Sequence, residues 1–228
     1  MEHKFRTLLL DVDGTLLDFK ACEKAALEQV FKKYGIALTE EVRKTYHEIN
    51  NELWGRYEKG EIDRDTVIYT RFGRLFELTG VDGDGIAFED DYQELLGESH
   101  VLMDGALEVV DYLSKRYDLY VVTNGVTQTQ IQRLSDSGLM PYMKEVFVSS
   151  DTGYQKPQKE YFDYCFVRIP DFDGSRALIV GDSLSSDILG GNRAGISTCW
   201  MNPEGQPIED GIKADFEIKN LRELMEFL

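Results

Sequence analysis

Acidic residues follow apolar runs at two points of this 228-residue chain, where buried strands are expected to end. Asp11 and Asp13 close the run "LLLDVDG", and Asp182 and Asp187 follow "ALIVG". Carboxylates about 4 Å apart repel each other by roughly 4 kcal/mol at an effective dielectric constant near 20. Oxygen ligands without histidine or cysteine favour Mg²⁺, which offsets this repulsion and can bind a phosphate at the same time. These residues therefore predict a magnesium site for a phosphoryl group.

Three further polar residues are predicted to reach the same site from other strand ends. Thr123 and Asn124 end the run "DLYVVTNG", and Lys156 follows the run "EVFVSSDTG". The Thr123 hydroxyl, the Lys156 ammonium and backbone amides can donate hydrogen bonds to phosphate oxygens. Asp11 can then attack phosphorus and form an aspartyl phosphate, which water hydrolyses. Asp13, two residues further on, can protonate the leaving alcohol and later deprotonate the water.

The elements that must place these residues alternate between short apolar runs and amphipathic segments. Strands are predicted at the runs quoted above and at "ISTCWMN", and helices are predicted over 104–116, 128–137, 159–168 and 185–194. This alternation is typical of an α/β fold, with a Rossmann-like, doubly wound parallel sheet and helices on both faces. Right-handed crossovers bring the carboxyl ends of such strands to one edge, where these sheets bind ligands.

Residues 16–101 break the alternation, because they carry helical patterns and no convincing strand. Helices are predicted over 20–34, 40–59, 64–79 and near 88–96. Because structureless loops of this length are rare in compact domains, we predict an inserted α-helical cap domain over 16–101 and a phosphatase core over 1–15 and 102–228. The cap is expected to stand over the sheet edge.

Substrate-binding side chains are harder to predict in the insertion. Aromatic and basic side chains could bind a base or a sugar, but they could equally be packing residues inside the insertion. The candidates are Tyr46, Trp54, Tyr57 and Arg71, together with Phe19 at the hinge.

The composition restricts the partners. A net charge of −17 opposes binding to nucleic acid polymers and to anionic membrane surfaces. Cys22, Cys165 and Cys199 are scattered and lack metal-ligand spacing, which indicates reduced core thiols. No apolar run is long enough to span a membrane, and the first residues lack the apolar region of a signal peptide. A cytoplasmic protein is therefore predicted, and the sequence leaves a monomer and a homodimer equally open.

Four motifs, in order along the chain, resemble those of the haloacid dehalogenase (HAD) superfamily of phosphatases: "DVDGT", "VVTNG", Lys156 with Pro157, and "GDSLSSD". The resemblance implies that Asp11 is the nucleophile, that Asp13 is the general acid and base, and that Thr123, Asn124 and Lys156 bind the phosphate. It also implies that Asp11, the Asp13 carbonyl and Asp182 bind Mg²⁺, with Asp187 in the outer shell or against Lys156. The dehalogenases of this superfamily lack the second aspartate of the first motif, so Asp13 favours phosphate chemistry.

A narrower resemblance is carried by "INNELWGRYEKGEIDRD", "TRFGRLFE", "DTGYQKPQKEYFDY" and "TCWMNP". These stretches are similar to nucleotidases that hydrolyse pyrimidine 5′-monophosphates, including modified and deoxy forms. The alternatives are a phosphatase for another small ester, such as a sugar phosphate or phosphoglycolate, a phosphomutase, and a non-catalytic binding or regulatory protein with the same fold. Asn192, in "GGNRAG", is open to two interpretations, close helix packing or a polar contact near the site.

Overall fold

The computed structural model of the protein describes residues 4–228, in which the core is one parallel sheet. Its strands are β1 (Thr7–Leu10), β2 (Asp118–Thr123), β3 (Glu145–Val148), β4 (Ala177–Gly181), β5 (Ser197–Met201) and β6 (Phe216–Ile218). They lie in the order β3-β2-β1-β4-β5-β6, and each neighbouring pair is parallel. The predicted doubly wound parallel sheet is confirmed. The short edge strand β6 was not predicted.

Both faces of the sheet are buried, as the alternation of its side chains shows. Leu8 and Leu10 of β1 join one apolar cluster, whereas Leu9 joins a second cluster on the opposite face. Because side chains along a strand alternate between faces, a strand buried on both sides has no polar positions. This explains why Leu8, Leu9 and Leu10 of β1 form a continuous apolar run that ends near Asp11.

The helices after β1 form two groups along the chain. Four of them follow one another in the insertion: α1 (Phe19–Lys33), α2 (Glu40–Glu58), α3 (Arg64–Thr79) and α4 (Gly85–Glu98). The others alternate with the later strands: α5 (Ala106–Ser114), α6 (Thr127–Asp136), α7 (Ser149–Thr152), α8 (Lys159–Phe166), α9 (Leu189–Ala194) and α10 (Leu224–Phe227). Short 3₁₀ turns lie at Met140–Tyr142, Gly174–Arg176 and Leu221–Glu223.

The chain separates into two compact units, Met1–Phe19 with His100–Leu228, and Lys20–Ser99. The helical unit packs around its own aromatic core, in which the Phe72 ring lies 4.7 Å from Phe88 and 5.3 Å from Tyr46. Its helices begin and end at the signals that the sequence offers. Thr39 and Asp63 accept hydrogen bonds from the first turns of α2 and α3. None of the helices described within residues 4–228 is long and apolar enough to cross a membrane.

Two neighbouring strands create the crevice that the sequence predicts. After β1 the chain builds the sheet towards β3, and it then returns to place β4 on the other side of β1. Ligands of open α/β sheets bind at such a point of reversal, outside the carboxyl ends of the strands. Asp11 follows β1 there, and Asp182 follows β4.

The segment after β4 differs from its prediction. A single α-helix was expected over 185–194, but Leu184–Ile188 forms a wider π-helical turn, and α9 begins only at Leu189. Single π turns often occur at functional sites. This one carries Asp187 into the protein interior.

Candidate active site

A buried ion cluster lies at the carboxyl ends of β1 and β4. The Lys156 ammonium donates to Asp11 Oδ1 at 2.6 Å, to Asp187 Oδ1 at 2.6 Å and to the Val122 carbonyl at 2.9 Å. These three bonds use all three ammonium hydrogens. Burial alone would lower the pKa of Lys156, but Asp11 and Asp187 raise it above its usual range. Lys156 therefore stays charged and fixes the direction of both carboxylates.

Asn124 positions the loop that carries this lysine. Its side-chain amide donates to the Lys156 carbonyl at 2.9 Å, and its side-chain oxygen accepts from the Lys156 backbone N–H at 2.9 Å. Both polar groups of the side chain are thus engaged with the Lys156 backbone. A contact between Asn124 and phosphate, as the sequence predicts, is left to the backbone N–H and to the second hydrogen of the side-chain amide.

Asp11 and Asp182 carry excess negative charge. Burial raises the pKa of Asp11 well above its usual range, Asp187 and Asp182 raise it further, and Lys156 opposes the rise. The pKa of Asp182 rises to about 7, because surrounding protein atoms displace water from the carboxylate and Asp187 adds a second negative charge. The Asp182 side chain nevertheless keeps contact with solvent.

These carboxylates form a group suited to a hard cation. Oxygens of Asp11, Asp182 and Asp187 lie within 4.8 Å of one another. Asp187 is already engaged, since its second oxygen accepts from the Ser183 backbone N–H at 3.1 Å. Asp11 also accepts at both oxygens, but its bond from the Thr15 hydroxyl is long, at 3.3 Å, so Asp11 Oδ2 and the Asp182 carboxylate are the groups best placed for a metal, and Asp187 supports Lys156. An all-oxygen donor set of this kind fits Mg²⁺.

Asp13 lies beside this cluster but belongs to a different set of contacts. Its Oδ2 accepts from Gln130 Nε2 at 2.6 Å, and its Oδ1 accepts from Arg133 Nη1 at 2.6 Å. Gln130 Nε2 also donates to the Thr123 hydroxyl at 3.0 Å. The Thr123 oxygen accepts a second bond from the Gly125 N–H at 3.1 Å, so its own hydrogen is left to donate. The structure thus joins Thr123 and Asp13 through a single glutamine.

Glycines permit the close approach of these carboxylates. A Cβ atom on Gly14, whose φ is +83°, would lie 2.2 Å from Asp182 Oδ2, and one on Gly181 would lie 2.3 Å from the Asp187 carboxyl carbon. Both distances are shorter than any non-bonded contact between two heavy atoms. The glycines of the first and last motifs are therefore required by the packing of the carboxylates, and Gly14 also by its left-handed backbone.

Asn192 lies outside the site, and most candidates of the helical unit pack within that unit. Asn192 bonds to the backbone of Lys213 through both polar groups of its side chain, which makes it a packing residue. Within the helical unit, Tyr46 and Arg71 are buried, and both guanidinium edges of Arg71 donate, chiefly to Glu89. Tyr57 is also buried, whereas Trp54 keeps partial exposure.

Functional residues that sequence reasoning missed approach the aspartates from their sides. Gln130 and Arg133 contact Asp13, and the Thr15 hydroxyl donates to Asp11 Oδ2 at 3.3 Å. The sequence does contain a pattern that indicates Gln130 and Arg133, because they lie three residues apart on the face of α6 that also carries the buried Leu134. A glutamine and an arginine on the buried face of a helix indicate polar partners inside the fold.

Comparisons with known proteins agree with this geometry. A family model described as haloacid dehalogenase-like hydrolase matches residues 8–201. The protein named HAD-hydrolase YfnB of Bacillus subtilis is 48% identical over 99% of this chain and 96% of its own length. Its magnesium-bound crystal structure, described as revealing interdomain movement, matches with a TM-score of 0.93 over 98% of both chains.

Two further relatives have names that state a reaction. Pyrimidine 5′-nucleotidase PynA of Streptococcus pneumoniae is 37% identical over 98% of this chain and 95% of its own. Pyrimidine 5′-nucleotidase YjjG of Escherichia coli is 30% identical over 99% and 98%. The predicted resemblance and the prediction of a hydrolase are confirmed. With a family model over most of its length and relatives that match it almost end to end, the chain belongs to the haloacid dehalogenase-like hydrolase family.

Proposed function

We propose that the protein hydrolyses the phosphate ester of nucleoside 5′-monophosphates, with pyrimidine nucleotides, including modified or deoxy forms, as its preferred substrates. The reaction is supported chiefly by one observation: Asp11, fixed by Lys156, lies at a strand end beside a second aspartate, Asp13, whose side chain is 28% exposed. A nucleophile and a partly open acid in one loop fit ester cleavage with proton transfer to the leaving group.

The proposed reaction has two steps. In the first, an oxygen of Asp11 attacks phosphorus, the bond from phosphorus to the ester oxygen breaks, and Asp13 gives its proton to the leaving alcohol. In the second, Asp13 takes a proton from water, the water oxygen attacks phosphorus, and the Asp11 acyl phosphate bond breaks. The Thr123 hydroxyl donates to one phosphate oxygen, and the Lys156 ammonium exchanges one of its three present bonds for another phosphate oxygen, so that both stabilise the charge on the phosphate. Inorganic phosphate leaves, and Asp11 is restored.

Mg²⁺ is the proposed cofactor, with Asp11, the Asp13 carbonyl and Asp182 as its ligands. When bound, it would neutralise charge on the phosphate and on the two carboxylates. The raised pKa values of Asp11 and Asp182 support this proposal, because a cation between them favours their ionised forms. Asp11 must be ionised to act as a nucleophile.

The substrate class rests on the relatives and not on the site. The two pyrimidine 5′-nucleotidases match nearly the whole chain, and these matches include the helical unit Lys20–Ser99. The core supplies the same chemistry for any phosphate ester, so a choice of substrate must depend on other parts of the chain. We therefore propose that residues 16–101 act as a cap that selects the substrate, with the core at 1–15 and 102–228. Trp54 and Phe19 are the partly exposed aromatic candidates in this range and are therefore the ones suited to contact a base.

Phosphate release from purified protein tests this function. With Mg²⁺, we expect release from uridine, deoxyuridine, thymidine and cytidine 5′-monophosphates to exceed release from purine nucleotides, sugar phosphates and phosphoglycolate. A preference for a sugar phosphate or for phosphoglycolate would replace the nucleotide proposal with the alternative phosphatase. Transfer of the phosphate to a second position of the substrate would indicate a phosphomutase.

The mechanism is tested by Asp11→Asn, which removes the nucleophile with little change of shape. We expect this variant to lose turnover and to keep its fold by circular dichroism. Asp136→Asn, an exposed position on α6, is the matched control and should keep full activity. Activity of Asp11→Asn near that of the unaltered protein would refute the aspartyl phosphate. No release from any phosphate ester, with or without Mg²⁺, would favour a non-catalytic protein.

A further inference from the structure

We propose that Gln130 and Arg133 are positioning residues, which orient the Asp13 carboxyl group for proton transfer to and from the substrate. This inference rests on the proposed phosphatase function, since it concerns the acid and base of that reaction. It adds to that function two residues of α6 that donate hydrogen bonds to Asp13.

The contacts of Asp13 fix its carboxyl plane from two sides. Gln130 Nε2 lies 2.6 Å from Oδ2, and Arg133 Nη1 lies 2.6 Å from Oδ1. Arg133 Nη1 also donates to Gln130 Oε1 at 3.2 Å, which links the two positioning residues to each other. Because each carboxyl oxygen has one donor, the group cannot rotate about its Cβ–Cγ bond without loss of a bond. The positioning pair, Gln130 with Arg133, therefore determines the direction of Asp13.

The pair is itself rigidly placed. Gln130 and Arg133 are each 1% exposed, whereas the Asp13 side chain is 28% exposed. The Gln130 amide passes so close to Gly125 that a Cβ atom there would lie 2.3 Å from Nε2. The Arg133 guanidinium carbon lies 5.9 Å from the centre of the Phe19 ring. The donors are thus buried and fixed, and the acceptor between them is open to a substrate.

Proton transfer remains compatible with both bonds. A carboxyl group has about four lone-pair sites, and the positioning pair uses two of them. The other two can carry the transferable proton in the first step and accept a proton from water in the second. The bond from Gln130 to the Thr123 hydroxyl, at 3.0 Å, ties the orientation of Asp13 to a residue proposed to bind the phosphate.

A structural role alone would explain the burial of the pair, so the test must depend on the leaving group. Nucleotides release a basic alkoxide that needs a proton, whereas p-nitrophenyl phosphate releases a weakly basic phenolate that does not. Misplacement of a general acid should therefore slow only the first reaction. A weakened fold or a disturbed nucleophile would slow both.

The experiment compares kcat for uridine 5′-monophosphate and for p-nitrophenyl phosphate in the full-length protein with Mg²⁺. For Gln130→Met, which keeps size and removes the donor, we expect about a 10²-fold loss on the nucleotide, the order of cost of a small misplacement. The loss on p-nitrophenyl phosphate should be at most about threefold, because Asp11, Lys156 and the donating hydrogen of Thr123 are kept and this leaving group needs no acid. Arg133→Met should behave in the same way, and Arg133→Lys should recover part of the nucleotide rate.

Two references complete the design. Gln132→Met changes a glutamine two residues further along α6, which points to the other side of the helix, and should leave both rates unchanged. In the background of Asp13→Asn, Gln130→Met should cost nothing further on the nucleotide, because two residues that act through one group are not additive. An additive loss would overturn the inference.

The remaining outcomes separate this inference from the proposed function. Equal losses of Gln130→Met on both substrates, or a higher nucleotide rate, would overturn the positioning role and leave the phosphatase function intact. If Arg133→Met does not fold, Gln130→Met decides alone. An unaltered protein that hydrolyses p-nitrophenyl phosphate but no nucleotide or other alkyl phosphate would overturn both.

Discussion

Replacing Lys156 by methionine tests the electrostatics of the site through the stability of the fold. The ammonium has carboxylate oxygens of Asp11 and Asp187 at 2.6 Å, and all three groups are buried. Removal of one partner from a buried ion pair costs about 3–5 kcal/mol, because it leaves an uncompensated buried charge. Since two carboxylates lose their cation here, we expect about 4 kcal/mol or more at pH 7. At an m value of about 2 kcal/mol/M, this lowers the urea midpoint by about 2 M.

The assay is urea unfolding followed by circular dichroism, in Mg²⁺-free buffer. All three residues belong to the unit that contains the sheet. If two unfolding transitions are seen, the urea midpoint of the helical unit should therefore stay unchanged. The loss of unfolding free energy caused by Lys156→Met should become smaller as the pH falls from 7 towards 5. Burial already raises the pKa of Asp11, and without Lys156, which lowers it, Asp11 takes up a proton more readily.

Lys159→Met is the control for this measurement. Lys159 is exposed and pairs with Asp163 one helical turn away, so its loss should change stability by less than about 1 kcal/mol. A loss below about 1 kcal/mol for Lys156→Met, or one that grows on acidification, would refute the view that this lysine compensates two buried carboxylates.

Two further variants test other charges. In Mg²⁺-free buffer, Asp182 should make the free energy of unfolding fall as the pH rises from 4 to 7, because its pKa of about 7 in the fold lies above the value of 3.8 in the unfolded chain, and the folded state therefore holds the extra proton. Urea unfolding at a series of pH values should give Asp182→Asn a smaller slope, since only Asp11 then contributes to it, and an equal slope in the variant would contradict the prediction. In the helical unit, Arg71→Met leaves the buried Glu89 without its cation and should lower the free energy of unfolding in urea by about 3–5 kcal/mol. Arg74→Met, which removes an exposed ion pair, should lower it by less than about 1 kcal/mol. Similar losses for both variants would contradict the view that the buried pair is the more important one.

The fold followed from local patterns wherever those patterns were strong. Thr39 and Asp63 in the insertion begin helices where expected, and Gly80 ends α3 in the left-handed conformation. β6 was missed because its three residues, "FEI", include a glutamate and are too few to show alternation. The π turn at Leu184–Ile188 was missed because its hydrogen bonds leave no mark in the spacing of apolar residues.

The site was predictable as far as strand ends determine it. Asp11, Lys156 and Asp187 meet because parallel strands deliver their carboxyl ends to one edge, which is a property of topology. Asn124 shows where this reasoning stops: its position was right, but its amide bonds to the backbone of a residue 32 positions away. The contacts of Gln130 and Arg133 with Asp13 could not be predicted from the sequence either. Their partner depends on how α6 is rotated against the sheet, which only tertiary packing determines.

The two aspartates of the first motif differ in how their charges are balanced. Arg133 provides a cation for Asp13 at 2.6 Å, so the proposed acid and base needs no further charge from outside the protein. Asp11 and Asp187 share the single charge of Lys156, and Asp182 forms no ion pair with any residue in the range 4–228. The excess negative charge therefore lies entirely on the side of the nucleophile. The proposed Mg²⁺ would act there and favour the ionised form of Asp11, whereas the proposed proton transfer at Asp13 is oriented by side chains of the protein alone.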